Sequence, residues 1–356
     1  MADHPLDPAT ADLIRRMPKA EIHLHLDGSM RPGTALELAR EQGIDDGLDL
    51  AAMQARLQAP ARCADQAELL QAFALPIRLM QEASVLERVA GELVEDVATD
   101  GTAYAEIRWA PALHLDHGLP LDEGIGAVVR GTATAAAATG VVVRLIAVAL
   151  RSHPPPMSER VAQAASRYLD QGLTGFDLAG DEASHPDVLD HARAFDLARD
   201  AGLGITVHAG EWGGAGQVAR TLAVSPSRIA HGAPAIDDDS LMDRLIDGGV
   251  TLDLCPTSNV QAGIVEDVAH HPVRRLFQRG VPVTLSTDDR TVSDMTLVRE
   301  YERAVTQLGV TPAELWAMDR HALRVAFLHH DESLRARLLD AFDRFAAGEP
   351  ALAGGT

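Results

Sequence analysis

MPKAEIHLHLDGS, residues 17–29, is the stretch whose reading decides the fold. Residues 21–26 alternate as a β-strand does, and in a strand residues two apart point to one face. His23 and His25 therefore present two imidazoles to the same side. Neutral imidazole is a good ligand for zinc and similar divalent ions, so the pair reads as half of a metal site. Taken alone, it equally suits two histidines flanking a core leucine, Leu24. The rest of the chain separates these readings, because the other half of a site recurs further on.

Apolar, β-branched runs follow at 104–109, 141–150, 175–179, 204–208, 228–231, 250–254 and 282–287. Amphipathic helical patterns lie between them, at 183–201, 216–223 and 238–248 among others, several ending at glycine. Strands alternating with helices build parallel βα units. Eight such strands predict a (β/α)8 TIM barrel, with its chemistry at the C-terminal strand ends. The polar residues fall at those ends: His23 and His25 in the first strand, His208 in TVHAGE, His231 in RIAHG, and Asp288 and Asp289 in TLSTDD. A doubly wound open sheet has the same periodicity. However, no GxGxxG or GxxxxGK[ST] follows any strand, which removes support for its phosphate-binding forms.

Composition narrows the function. The net charge is −21, whereas a nucleic-acid partner needs a basic face. Lys19 is the only lysine among 31 basic residues, a bias that reads, with the many alanines, as genome composition. The two cysteines, Cys63 and Cys255, are far apart and make no disulfide framework. With no apolar leader at the N-terminus, they suggest a reducing, cytoplasmic compartment. No apolar run reaches membrane-spanning length.

We expect one barrel domain over residues 1–345, with a helical insertion at 32–101 between the first and second strands and a disordered tail at 346–356. In DQAELLQAFALPIRLM, Leu69, Leu70, Phe73, Ile77 and Met80 recur at roughly helical spacing. That stripe is either core-facing or the underside of a lid closing the barrel mouth against water.

His23, His25, His208 and Asp288 make a plausible set for one catalytic zinc, five-coordinate with water. Glu211, three residues after His208, is either a solvated loop acid or a proton donor and acceptor. His231 is a further ligand or a group that holds the nucleophile. A carboxylated lysine late in the fourth strand would mark a two-metal site, but the chain has no lysine there, which leaves a single metal. The HxE…PCxxC pattern of the small zinc deaminases is absent as well.

With MPKAEIHLHLDGS, YAEIRWAP, GFDLAGDE, TVHAGE, RIAHG, LCPTSNVQAG and TLSTDD in order, the chain resembles the adenosine deaminase family of the amidohydrolase superfamily. The resemblance implies zinc on His23, His25, His208 and Asp288, and hydrolytic deamination of adenosine or 2′-deoxyadenosine to inosine in purine salvage. It implies Glu211 as the acid that protonates purine N1 and His231 as the residue that orients and activates water attacking C6. It implies that Asp289 accepts a hydrogen bond at N7, that Gly180 donates its N–H to N3, and that Asp27, with His25, meets the ribose 5′-hydroxyl. Adenine deaminases usually carry Glu in place of Asp27, so a nucleoside is favoured over a free base. Arg290 stands where many members have Pro. It is read as a surface residue or as a reach toward an anionic substituent. The alternatives are a 5′-modified adenosine such as 6-aminodeoxyfutalosine, or a catalytically inactive binding barrel.

Overall fold

In the computed structural model of the chain, described for residues 6–44 and 46–353, eight parallel strands stand in sequential order around one sheet. They are β1 (Lys19–His25), β2 (Thr102–Trp109), β3 (Val142–Leu150), β4 (Leu173–Ala179), β5 (Gly204–Ala209), β6 (Arg228–His231), β7 (Thr251–Leu254) and β8 (Val283–Leu285). The ring closes beyond β8. The N–H of His25 bonds Asp288 O at 2.7 Å, and the N–H of Asp288 bonds His23 O at 3.1 Å. This closure shortens β8 relative to the expected 282–287. Thr287 turns its N–H and hydroxyl to the Glu21 carboxylate, at 3.0 and 2.5 Å, instead of a strand partner.

The helix Pro312–Val325 seals the seam between β1 and β8. Thr311 and Glu314 cap it reciprocally, with proline in the first turn, so the sequence starts it sharply. Its Asp319 accepts from the N–H of Ala20 at 2.7 Å and from the Tyr301 hydroxyl at 2.9 Å. Trp316 from the same helix stacks on Phe342. Leu352 is buried in this cluster, and Glu349 pairs with Arg16 at 2.8 Å. The expected disorder of 346–356 is corrected for the described part of that tail, 346–353: Pro350–Leu352 forms a 3₁₀ turn because Leu352 has apolar surface to cover. Residues 1–5, 45 and 354–356 lie outside the described residues.

Two other expectations shift. The helix expected over 183–201 starts at Ala192, after the 3₁₀ turn Val188–His191. Pro186 keeps the residue before it out of helical geometry. Between β1 and β2 come the helices Pro32–Glu41, Leu50–Leu57, Gln66–Gln71, Ala74–Leu79 and Ala83–Thr99. The last of these packs on β2 and on the helix Leu121–Thr139, in the outer ring. The departure from simple alternation therefore ends before residue 83, earlier than the expected 101.

The N-terminal end of the barrel is plugged. Phe327 reaches under the strands, and a Cβ added to Gly204 would stand 2.3 Å from its ring. Glycine at 204 is what lets the ring enter. The Arg228 guanidinium lies 3.8 Å from the centre of that ring and pairs with Glu106, which also accepts the N–H of Phe327 at 2.5 Å.

Candidate active site

The open end of the barrel gathers imidazoles and carboxylates from four strand ends. His23 and His25 sit at the end of β1, His208 on β5, His231 at the end of β6, and Asp288 follows β8. Neighbouring ring centroids among the four histidines are 4.9–5.3 Å apart. Ligand atoms of His23, His208, His231 and Asp288 all lie within 4.8 Å of one another. His25 belongs to the same group, with its Nε2 3.1 Å from His208 Nε2 and 3.3 Å from Asp288 Oδ1. The two readings left open for His231 thus stay close in space: it joins the ligand cluster and also faces Glu211, with Nε2 3.8 Å from Glu211 Oε1.

The backbone leaves strand geometry to achieve this. His231 has φ +64° and Asp288 φ +66°, a left-handed region that costs energy for side chains of this kind. Successive residues of a strand face opposite sides, yet Asp288 and Asp289 both line the cavity because of this turn. Gly28 is a second condition. A Cβ there would stand 1.9 Å from Asp289 Oδ1, so glycine admits that carboxyl group.

The donor set fits a divalent cation. His23 and His208 are buried, and His23 Nε2 lies 2.9 Å from Asp288 Oδ1 without forming a hydrogen bond. Burial holds His23 well below its usual pKa and brings His25 to about 3, which leaves both as the neutral imidazole that metals bind. His208 Nδ1 faces Asp177 Oδ2 at 2.9 Å, so Nε2 is the nitrogen turned toward the centre. Asp177 also receives Arg108 at 2.8 Å. Although burial opposes its charge, His208 and Arg108 keep Asp177 below the usual carboxylate range. Burial likewise opposes charge on Asp288, but His23 and His231 hold it well below the usual range. Ser258 donates its hydroxyl to Asp288 Oδ2 at 2.7 Å.

Glu211 behaves in the opposite way. Burial first, then the neighbouring Asp288 and Glu182, push its carboxyl up to about 8. Its loop is held by Glu182, whose carboxylate accepts the N–H groups of Gly210, Trp212 and Gly213 at 2.8, 2.7 and 3.1 Å. Asp289 is also pushed well above the carboxylate range, by burial and by Asp288 beside it.

These groups line one cavity of about 280 Å3. His25, Asp27, Gly180, His208, Glu211, His231, Asp288 and Asp289 form its polar wall, while Leu69, Leu70, Phe73, Ile77 and Leu113 form an apolar one. His23 lies beneath. Leu69 and Phe73 belong to a small cluster with Cys63, Ala72 and Val292, separate from the barrel cores. Gln66 ties this helix to the opposite rim through Gly180 O at 3.1 Å.

Two residues sit differently from expectation. Asp27 already has donors of its own: the N–H of Ala110 at 3.0 Å and His114 Nε2 at 3.0 Å. Arg290 is neither a surface residue nor part of the cavity. Its side chain is 9% exposed, and the guanidinium pairs with Asp100 at 2.8 Å and stands 3.8 Å from Glu21 of β1. Sequence reasoning passed over Asp177, Glu182, Ser258 and Asn259, although they stand inside the motifs GFDLAGDE and LCPTSNVQAG. His114 carried no local signal, since it follows β2 in the 3₁₀ turn Pro111–His114.

Comparison with known proteins agrees with this geometry. The sequence profile of the family described as adenosine deaminase matches residues 18–345. A relative from Mycobacteroides abscessus named adenosine deaminase is 39% identical over 340 residues, covering 90% of this chain and 93% of that one. The structure of an adenine deaminase from Arthrobacter aurescens superposes with TM-score 0.82 at 26% identity, covering 93% of this chain and 99% of that one. The N6-methyl-AMP deaminase of Arabidopsis thaliana superposes with TM-score 0.84 at 26% identity, covering 95% and 100%.

Proposed function

This chain belongs to the adenosine deaminase family, and on that premise we propose that its cavity takes adenosine and 2′-deoxyadenosine and replaces the 6-amino group with oxygen, releasing ammonia. The observation that carries the reading is Glu211: a largely enclosed carboxyl, raised to about 8, faces the same cavity as the histidine cluster. A group that is protonated at neutral pH can give its proton to purine N1, which draws electrons from C6. His23, His25, His208 and Asp288 are the residues to hold one zinc ion, which supplies Lewis acidity and lowers the pKa of water beside it. His231 faces the same point and orients the incoming water.

The purine is fixed in its plane by Gly180, through its N–H at N3, and by Asp289 at N7. N7 carries a lone pair and no proton, so Asp289 cannot accept there as expected from the resemblance. It donates instead, and its raised pKa keeps the required proton in place. Asp27 accepts the 5′-hydroxyl as an additional donor beside Ala110 and His114. The helix Gln66–Gln71, with Leu69 and Leu70, and the turn after it, with Phe73, act as the lid over the sugar.

The cavity wall contains no arginine or lysine among the described residues, so a 5′-phosphate meets Asp27 without a counter-charge. That separates the reading from an AMP-type substrate. A kinetic panel of adenosine, 2′-deoxyadenosine, adenine, AMP and 6-aminodeoxyfutalosine tests it, with metal counted in the active protein. We expect the highest kcat/KM for the two nucleosides and one zinc per chain. Adenine turned over as well as adenosine would overturn the nucleoside assignment. Much faster turnover of 6-aminodeoxyfutalosine would move the substrate to a 5′-modified adenosine. No turnover of any of them would leave the inactive barrel. Two metals per active chain would overturn the single-ion site.

A further inference from the structure

Behind His231 runs a buried chain of hydrogen bonds that ends on a group able to act in one direction only. The N–H of Val273 lies 3.2 Å from His271 Nδ1. A backbone N–H donates and never accepts. His271 Nδ1 is therefore the lone-pair side, and neutral His271 carries its proton on Nε2. That nitrogen lies 2.9 Å from Asn259 Oδ1, which accepts it. The orientation of the amide follows. Asn259 Nδ2 lies 2.9 Å from His231 Nδ1 and donates to it.

His231 Nδ1 is thereby an acceptor, and the proton of the neutral ring stands on Nε2. This is the nitrogen that faces the cavity, 3.8 Å from both Glu211 Oε1 and Asp288 Oδ2. Asn259, His231 and His271 are 0%, 1% and 5% exposed, so water does not compete for these bonds. Burial also favours the neutral form of both rings and brings His271 to about 3. Asn259 is itself held by the helix Pro256–Gln261, where its N–H bonds Cys255 O at 2.8 Å.

We infer that Asn259 and His271 are positioning residues that lock His231 in its Nε2–H tautomer. In deamination His231 then serves as a hydrogen-bond donor to the oxygen arriving at C6, rather than as a base. The kinetic consequence rests on the deaminase reading above, whereas the tautomer does not depend on it.

The direct test is histidine 15N NMR on the wild-type protein near neutral pH, with the His231 signals assigned by their loss in His231→Gln. We expect a protonated Nε2 and an unprotonated Nδ1. A proton on Nδ1 overturns the inference, whatever the variants do. Asn259→Asp offers acceptors to both rings, so it should move the proton to Nδ1. It should lower kcat by roughly 10²–10³-fold, the usual cost of one lost donor to a developing oxyanion, with KM little changed. His271→Gln keeps a donor toward Asn259 and should retain the tautomer and most of the turnover, whereas His271→Leu should lose both. Equal loss of melting temperature and unchanged kcat in Asn259→Asp and His271→Leu would reduce the chain to a structural role and overturn the inference. Failure of wild-type protein to turn over any nucleoside would sink the deaminase reading while leaving the tautomer measurement standing.

Discussion

The two ends of this barrel bury charge in opposite ways. At the plugged end, Arg228 sits on the Phe327 ring between Glu106 and Asp253. That guanidinium has a carboxylate on each side. At the open end, Glu211, Asp288 and Asp289 share one cavity with the histidine cluster and with no guanidinium on its wall. Neutralised charge yields structure, whereas burial beside a like charge raises Glu211 and Asp289, and Asp288 falls because His23 and His231 stand against it. Buried ionisable groups thus report function when their neighbours repel them and architecture when their neighbours pair with them.

The sharpest way to break this comparison is Glu211→Gln. We expect kcat to fall by ~10²–10⁴-fold, the usual worth of a positioned proton donor, without a lower melting temperature. The pH dependence should follow in metal-free protein. Glu211 rises from 4.5 to about 8 on folding. A raised pKa gives a contribution to stability fully present below the unfolded value and lost as pH rises through the folded one. Wild type should therefore lose stability toward pH 8, and Glu211→Gln should lose less. A variant keeping a tenth of the turnover would remove Glu211 from the acid role.

The opposite end should answer in stability instead. Arg228→Met leaves Glu106 buried without its cation and Asp253 with Arg108 alone, and breaking such a pair costs ~3–5 kcal/mol. Urea unfolding should register that loss, with kcat per folded molecule unchanged. A fall in kcat at constant stability would mean that the two ends are coupled.

His114→Leu should have a smaller effect. It withdraws one of the two protein donors to Asp27, and a buried acceptor left unsatisfied costs ~1–3 kcal/mol. If Asp27 shifts out of place by that amount of free energy, kcat/KM for adenosine should drop roughly 5- to 140-fold, at about 1.4 kcal/mol per tenfold. Adenine, which lacks the sugar, should be little affected, so the preference between the two should narrow. An equal loss for both substrates would place His114 in the packing rather than in sugar recognition.

The smallest effect should come from Phe73→Ala, with a raised KM and a nearly unchanged melting temperature. Phe73 packs in the small cluster under the lid helix, whereas Phe176 is fully buried against Phe195 in a barrel core. Phe176→Ala should cost ~3–5 kcal/mol. Equal thermal losses in the two variants would make the lid a core element.

By itself the sequence determined the strand count and the residues at the strand ends. Period-two alternation and chemistry confined to those ends are local properties, so His23, His25, His208, His231 and Asp288 were legible before any fold was known. It also made a lysine-bridged two-metal site untenable, through the position of its one lysine. Only the tertiary structure decided which neighbours those residues meet. Asp27 proved to be partnered by His114, 87 positions away in the chain, and Arg290 by Asp100. The orientation of Asn259 between His231 and His271 likewise exists only once β6 and the segment after β7 stand side by side. Spacing along a chain sets which face a side chain occupies. The proton carried by a buried carboxyl or imidazole is set by whatever distant group the fold brings within about 3 Å of it.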